Sequence, residues 1–175
     1  MRILFLGDVV GITGCSKLTS NLLNEINKNN IDFVIVNGEN AASQGAGLTR
    51  EICKDFYNCG VNVITTGNHV WDQKEIMEFI EKEERLLRPK NLFEPAPGKG
   101  FEIYTTPDNT KIGVLNLMGN VFMKKCDDVF KTSKKFIENH KLKDDYDFLI
   151  VDFHGEITSE KNAIGHFFDG KATLV

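Results

Sequence analysis

Four short polar clusters in this sequence contain the residue types that bind metal ions or transfer protons. They are Gly7-Asp8, Gly38-Glu39-Asn40, Gly67-Asn68-His69 and Asp152-Phe153-His154-Gly155-Glu156. Each cluster directly follows an apolar run that is typical of a buried strand. Because ligands in open α/β sheets bind beyond the carboxyl ends of the strands, we expect the clusters to meet at one sheet edge.

The side chains in these clusters predict a site for transition metals. Asp and Glu supply charged oxygen, Asn supplies a neutral carbonyl oxygen, and His supplies nitrogen. This mixture suits Mn, Fe or Zn better than Ca, which prefers oxygen alone. A carboxylate such as Glu39 can bridge two ions, and two ions about 3.5–4 Å apart can clamp a phosphoryl group.

Each residue also has a structural explanation when it is taken alone. Asp8 could cap a helix or start a turn, and Glu39-Asn40 could be an exposed loop pair. Asn68 could hold a turn through its side chain, and His154 could be a core histidine. Four glycine-flanked clusters at one predicted edge favour a shared site over four unrelated turns.

The elements that would position these clusters alternate between strands and helices in the first half of the chain. Predicted strands cover residues 3–6, 33–36 and 61–65. Helices are predicted up to about Asn29, from the N-cap Thr49 to the stop at Gly60, and from the capping-box spacing of Asp72 and Glu75 onward. This βαβαβα order predicts a parallel sheet.

The second half of the chain has a different pattern. Residues 88–100 are rich in Pro and Gly and predict an irregular loop. The runs 101–106 and 111–117 predict a hairpin. The remaining elements are a helix over 129–139, a strand at 148–151, a helix from Ser159 to about Phe168, and a strand beginning at Ala172. His140 is predicted to be exposed, and His166 to be a structural or rim residue.

Composition and charge predict one domain over residues 1–175. The chain is 41% hydrophobic and 26% charged, typical of a globular protein. The formal charge of −4 argues against a nucleic-acid scaffold that binds through its whole surface, and we expect no sequence-specific nucleic-acid binding. No signal-peptide pattern or membrane-length apolar run is present, so we expect a cytoplasmic protein. The four cysteines, Cys15, Cys53, Cys59 and Cys126, lack zinc-site spacing and are expected to be reduced thiols.

Several motifs resemble those of the calcineurin-like metallophosphoesterases. The stretches GDVVG (7–11), NGENAA (37–42), TGNHVWD (66–72) and DFHGEITSEK (152–161) occur in the family's order. They are most similar to the YmdB-type bacterial subfamily of 2′,3′-cyclic-nucleotide phosphodiesterases, as are RPKN (88–91) and PGKG (97–100). The resemblance runs along essentially the whole chain.

The resemblance implies an α/β fold, a four-layer αββα sandwich, with a site for two transition metal ions, divalent or mixed-valence. Fe or Mn would be favoured, and Zn would also be compatible. Carried over residue by residue, Asp8 binds one ion, Glu39 bridges both, and Asn40 completes the first ion's protein ligands. Asn68 and His154 bind the second ion. His69 is then the acid that protonates the leaving oxygen.

Two departures from the family pattern qualify this interpretation. The wider superfamily has Asp-x-His at the first motif, where this sequence has Asp8-Val9-Val10; the subfamily shares this difference, and Asn40 is the expected substitute. The family also ends its metal site with a Gly-x-His-x-His loop, which this sequence lacks. We therefore expect a domain that is incomplete at its C-terminus and truncated in the second sheet.

The leading hypothesis is metal-dependent hydrolysis of 2′,3′-cyclic nucleotides or related small phosphodiesters, with His69 as general acid. A phosphomonoesterase or protein phosphatase would use the same residues. A third alternative is a truncated, weakly active or inactive relative that acts as a binding or regulatory module. Because an unpaired sheet edge invites pairing, we expect a homo-oligomer or a partner if the protein ends at Val175.

Overall fold

The computed structural model describes all residues from 1 to 175, and they form two compact units, Met1–Leu86 and Leu87–Val175. The first unit alternates strands with helices. Its elements are β1 (Ile3–Leu6), α1 (Gly11–Asn29), β2 (Phe33–Asn37), α2 (Arg50–Asn58) and β3 (Val63–Thr65), and the sheet ends with the short strand β4 (Leu86–Leu87). The order of strands in this sheet is β1-β2-β3-β4.

The first sheet aligns the carboxyl ends of its strands, as the sequence predicts. β1 runs parallel to β2 with Leu6 opposite Val36, and β2 runs parallel to β3 with Asn37 opposite Thr65. All five residues of β2 are buried, which explains the continuous apolar run over residues 33–36. The polar clusters that follow these three strands therefore begin at the same edge of the sheet.

The segment after β3 differs from the predicted helix. Two short 3-10 turns, Lys74–Glu78 and Ile80–Lys82, replace it. The N-cap position of the first turn is Gln73, and its side chain makes no capping hydrogen bond. Asp72 does not form the predicted capping box, because its carboxylate lies against the His69 ring instead. The prediction was therefore wrong about both the helix type and the role of Asp72.

The second unit contains a three-stranded mixed sheet with two helices. Its elements are β5 (Phe101–Thr105), β6 (Lys111–Met118), α3 (Val129–Asn139), β7 (Phe148–His154) and α4 (Thr158–Phe167). β5 and β6 form the predicted antiparallel hairpin, and β7 runs parallel to β6. Leu174 adds a parallel bridge to Ile150, as expected from the predicted strand at residues 172–175.

The core of the second unit lies between its sheet and both helices. Leu115, Leu149 and Val151 from the strands pack with Phe136 of α3 and Ile164 of α4. His140 is not exposed as predicted: it is half-buried, because its ring stacks on Phe136 with 4.8 Å between ring centroids.

The predicted fold class, α/β with two sheets, is confirmed. The assignment of residues 1–175 to one domain stays a prediction. None of the helices combines the length and apolar character that crossing a membrane requires.

Candidate metal and catalytic site

The segments after β1 and β2 lie side by side because backbone hydrogen bonds join them. The Val9 N–H donates to the carbonyl oxygen of Asn37 over 3.0 Å. The Gly11 N–H, at the start of α1, donates to the carbonyl oxygen of Asn40 over 2.8 Å. These two bonds bring Asp8 next to the Glu39-Asn40 pair, although the residues are more than thirty positions apart.

Asn40 connects the two carboxylates of this cluster. Its Nδ2 donates to Asp8 Oδ2 over 2.9 Å and to Glu39 Oε1 over 3.2 Å. Glu39 is only 1% exposed, whereas Asp8 is exposed. Burying a carboxylate is costly unless hydrogen bonds or a cation compensate its charge. A donor group held between two carboxylates, one of them buried, lies where a cation would be stabilised.

The loop that carries Glu39 is tied at both ends. The Gly38 N–H donates to the carbonyl oxygen of Thr65 over 3.0 Å, and the Gly47 N–H donates to that of Glu39 over 2.6 Å. Gly47 has a φ of +83°, and a Cβ there would lie 2.7 Å from the Gln73 side chain. Gln73 in turn donates to the carbonyl oxygen of Ala46 over 2.9 Å. Glycine at position 47 therefore lets this loop approach the segment that follows His69.

His69 lies in consecutive tight turns just beyond β3. The Val70 N–H donates to the carbonyl oxygen of Gly67, and the Asp72 N–H donates to that of His69. The His69 Nδ1 is 2.6 Å from Asp72 Oδ2, and about a third of each side chain is exposed (35% and 33%). This contact fixes the ring through Nδ1, so Nε2 is the nitrogen that can exchange a proton with a ligand.

Asp72 is the candidate site residue that the sequence did not reveal. The capping-box spacing assigned its carboxylate to a helix, whereas the structure gives it to His69. The three-residue separation of a histidine and an aspartate within tight turns was the signal that could have found this pair.

The two remaining predicted ligands are Asn68 in the first unit and His154 in the second. Asn68 is half-buried in the same turn as His69. His154 lies at the end of β7 in the second unit, where its carbonyl oxygen accepts from the Gly119 N–H over 2.8 Å. The structure contains no cluster of three or more His, Cys, Asp or Glu side chains that could hold a metal ion. The assignment of Asn68 and His154 as ligands stays a prediction.

The cysteines are free thiols. Burial raises the pKa of Cys15, Cys53 and Cys59, and it raises the pKa of Cys126 to about 11. Protonated thiols are poor metal ligands at neutral pH. Cys15, whose Sγ donates to the carbonyl oxygen of Ala41 over 3.2 Å, is therefore a packing residue beside the site.

The chain matches the YmdB-like protein family over residues 4–175 and belongs to that family. The subfamily resemblance seen in the sequence is thereby confirmed.

Individual relatives agree with this assignment. The chain is 42% identical, over its whole length, to the 2′,3′-cyclic-nucleotide 2′-phosphodiesterase of Bacillus subtilis (strain 168), and covers 65% of that protein. It resembles the crystal structure of a hypothetical protein from Thermus thermophilus with a TM-score of 0.90 and 36% identity. It resembles that of a novel phosphatase from Mycoplasma pneumoniae with a TM-score of 0.87 and 37% identity.

The matches cover nearly all of this chain but only part of each relative. The structural matches include 99% of this chain, and 66% and 62% of the Thermus and Mycoplasma chains, respectively. The chain therefore spans about two thirds of the length of the proteins it matches.

Proposed function

We propose that this chain carries the metal and acid groups of a phosphodiesterase that hydrolyses 2′,3′-cyclic nucleotides or related small phosphodiesters. The observation that carries the proposal is the Asp8–Asn40–Glu39 cluster, in which an amide donor contacts both carboxylates. Two further observations support it: the His69–Asp72 pair beyond the neighbouring strand, and the 42% identity to the Bacillus subtilis phosphodiesterase.

The donor set in the first unit fits a hard or borderline divalent cation. Asp8 and Glu39 would supply charged oxygens, and Glu39 would bridge two ions. The Asn40 side chain would turn so that Oδ1, in place of Nδ2, faces the ion. Asn68 is the further proposed ligand here, and His154 is the ligand predicted in the second unit. Bound ions would polarise the phosphoryl oxygens and lower the pKa of an attacking water.

His69 is the proposed general acid. Its Nδ1 is held by the Asp72 carboxylate, which orients the ring and leaves Nε2 to face the leaving oxygen. Asp72 is a positioning residue in this scheme, since it acts through His69.

The direct test measures metal content and activity in the same preparation. We expect bound Fe or Mn by elemental analysis, and hydrolysis of 2′,3′-cyclic AMP that is faster than hydrolysis of a phosphomonoester. His69→Ala should retain its metal and lose about 10²–10⁴-fold in kcat. His166→Ala, which removes a histidine of α4, should behave like the wild type. Full activity of a metal-loaded His69→Ala protein would remove His69 from the mechanism.

Asp72→Asn separates positioning from general acid catalysis. We expect a loss of about 10–100-fold in activity, the range found for residues that orient a functional group. The loss should fall on kcat with KM unchanged, because Asp72 orients the acid and does not itself contact the substrate. An unchanged kcat would reduce Asp72 to a structural role.

A phosphatase is the second candidate, favoured by the similarity to the Mycoplasma pneumoniae phosphatase. The same metal cluster would serve either reaction. Preference for phosphomonoesters in the substrate comparison would select this alternative and exclude the phosphodiesterase assignment.

A further inference from the structure

The second unit contains a polar cavity of about 390 Å³ that the proposed reaction does not use. It is lined by Lys90, from the RPKN stretch, and by Phe136, Lys135 and Thr132 of α3. The half-buried His140 ring stacks on Phe136 at an interplanar angle of 27° and contributes an aromatic wall. Glu94 and Asp127 are the acidic residues that line it.

Lys90 is held in place by its backbone. Its N–H donates to the carbonyl oxygen of Asn116 over 2.8 Å. Gly100 packs so closely against it that a Cβ there would lie 2.3 Å from the Lys90 Cα. The base of the Lys90 side chain is therefore fixed within the second unit, and only its flexible end can adapt.

The Lys90 ammonium is half-buried and makes no hydrogen bond or close ion pair. Burial lowers its pKa, and the neighbouring Arg88 guanidinium lowers it further. Glu94 opposes this effect, and Lys135 adds to it. Two of the three charged groups that act on Lys90 are therefore cations.

Glu94, the acidic residue that acts on Lys90, is engaged by Arg88 and by solvent. Arg88 is 4% exposed and donates to the carbonyl oxygens of Pro89 and Ala96, each over 3.0 Å. Glu94 lies 3.4 Å from Arg88, and its side chain is 75% exposed. Its carboxylate is thus shared with Arg88 and largely hydrated, so Lys90 has no close carboxylate partner of its own.

We propose that the cavity beside Lys90 binds a small oxyanion of the phosphate class, with Lys90 and Lys135 as its cationic contacts. The Thr132 hydroxyl offers a neutral hydrogen bond on the same wall. The volume lies within the range typical of small-molecule sites and exceeds what a single ion needs. It therefore suits the phosphate group of a mononucleotide as well as inorganic phosphate.

Binding should be linked to the protonation of Lys90. An anion beside the ammonium raises the pKa of Lys90 above its value in the free protein. Affinity is then constant below the free-state pKa and falls as the pH rises through it. The other charged or titratable groups around the cavity are Arg88, Glu94, Asp127, Lys135 and His140. The experiment is run in the alkaline range, in which lysine side chains ordinarily lose their charge.

The experiment follows the lysine signals by NMR after reductive ¹³C-methylation, which keeps their positive charge. Sulfate serves as the probe for pH dependence, since it has no protonation step in this range. Inorganic phosphate and adenosine 5′-monophosphate are then compared at one pH. We expect sulfate to shift the Lys90 signal and to raise the pKa of Lys90.

Matched variants show whether binding occurs at this cavity. Lys90→Gln should weaken sulfate and phosphate binding by about tenfold or more, because a charge-assisted contact is lost. Lys131→Gln, on α3 outside the cavity, should leave the affinity unchanged. Asp8→Asn should also leave it unchanged, which separates this cavity from the proposed metal site.

The result that overturns the proposal is a Lys90 signal whose position and pKa do not respond to sulfate, phosphate or the mononucleotide. Equal affinity in the wild type and in a folded Lys90→Gln protein would overturn it as well. Tighter binding of the mononucleotide than of phosphate, lost in Lys90→Gln, supports an organic ligand. Equal binding of both supports a site for the phosphate group alone.

Discussion

Two asparagines, one in each unit, show how differently the same side chain is used. Asn40 follows β2 and donates to two carboxylates, Asp8 and Glu39. Asn91 lies in the irregular segment after β4 and contacts the backbone instead. Its Nδ2 donates to the carbonyl oxygens of Met118 and Asp127 over 2.7 and 3.0 Å, and its Oδ1 accepts from the Met118 N–H over 2.9 Å.

The difference lies in what each amide makes possible. Asn91 is 1% exposed and satisfies three backbone groups, at Met118 and Asp127, so it ties its own segment to the end of β6. Asn40 joins two acidic side chains that repel each other, one of them exposed. The contacts of Asn91 stabilise the fold. The contacts of Asn40 are favourable only while a hydrogen-bond donor or a cation lies between the two carboxylates.

The largest expected effect is on stability, at Asn91. Asn91→Ala leaves three backbone groups without their partners, and each such loss typically costs about 1–3 kcal/mol. Allowing for relaxation and water entry, we expect about 3 kcal/mol and a fall in Tm of about 6–12 °C. Thermal unfolding followed by circular dichroism measures this.

The control for Asn91 is Asn139→Ala, which removes an exposed amide at the end of α3. Its Tm should stay close to that of the wild type. If both variants melt at the same temperature, Asn91 does not have the structural role described here.

Asn40→Ala should reduce metal binding and activity and leave stability nearly unchanged. Removing a proposed metal ligand should lower metal affinity and activity by about 100-fold or more, since even indirect contacts to a metal contribute about 10–100-fold. The Tm of the metal-free protein should change little, because Asn40 is only half-buried. Isothermal titration with Mn²⁺ and a hydrolysis assay measure the two quantities. A large loss of Tm with normal metal affinity would make Asn40 a structural residue like Asn91.

Glycines provide the next comparison, within the second unit. A Cβ at position 100 would lie 2.3 Å from the Lys90 Cα, a backbone atom that cannot move aside without shifting the chain. We expect Gly100→Ala to destabilise the protein by about 2 kcal/mol, in the range for overpacked sites. Chemical denaturation compares this variant with the wild type.

Gly165 in α4 is the matched position, because a Cβ there would meet nothing within 4 Å. Gly165→Ala should stabilise the protein by about 0.5–1 kcal/mol, since alanine is the better helix former. Destabilisation by Gly165→Ala would contradict the open space around that helix position. An unchanged stability of Gly100→Ala would contradict the close packing of Gly100 against Lys90.

Local signals explain which parts of the fold could be predicted from the sequence. The helix over 129–139 was predicted correctly because its apolar spacing is regular and Asp128 caps it. β4 was missed because two residues, Leu86 and Leu87, cannot show a strand period. The third strand was predicted to begin two residues too early, because Val61 is apolar like the strand residues, whereas the paired register with β2 begins at Val63.

In the site, too, contacts that follow from local sequence signals were predicted, and contacts that depend on the surrounding fold were not. Strand ends predicted the approach of Asp8 to Glu39 and Asn40, because parallel strands align their carboxyl ends. The pairing of His69 with Asp72 was missed, since tight turns rather than a helix follow β3. The environment of Lys90 depends on Arg88 and on Lys135 of α3, and no spacing rule connects that helix with the RPKN stretch.

A similarly small effect concerns one helix cap in each unit. The Thr49 side chain accepts from the Ile52 N–H over 3.2 Å at the start of α2, and Asp128 Oδ1 accepts from the Lys131 N–H over 2.8 Å at the start of α3. Replacing either residue with alanine should lower the free energy of unfolding by about 1 kcal/mol.

The two variants together test whether the units unfold as one. If they do, each variant lowers the Tm of the same transition by about 2–4 °C, because each removes one capping hydrogen bond. If each variant instead moves a different part of the unfolding curve, the two units have separate stabilities. In that case the loss of Tm in Asn91→Ala belongs to the second unit alone.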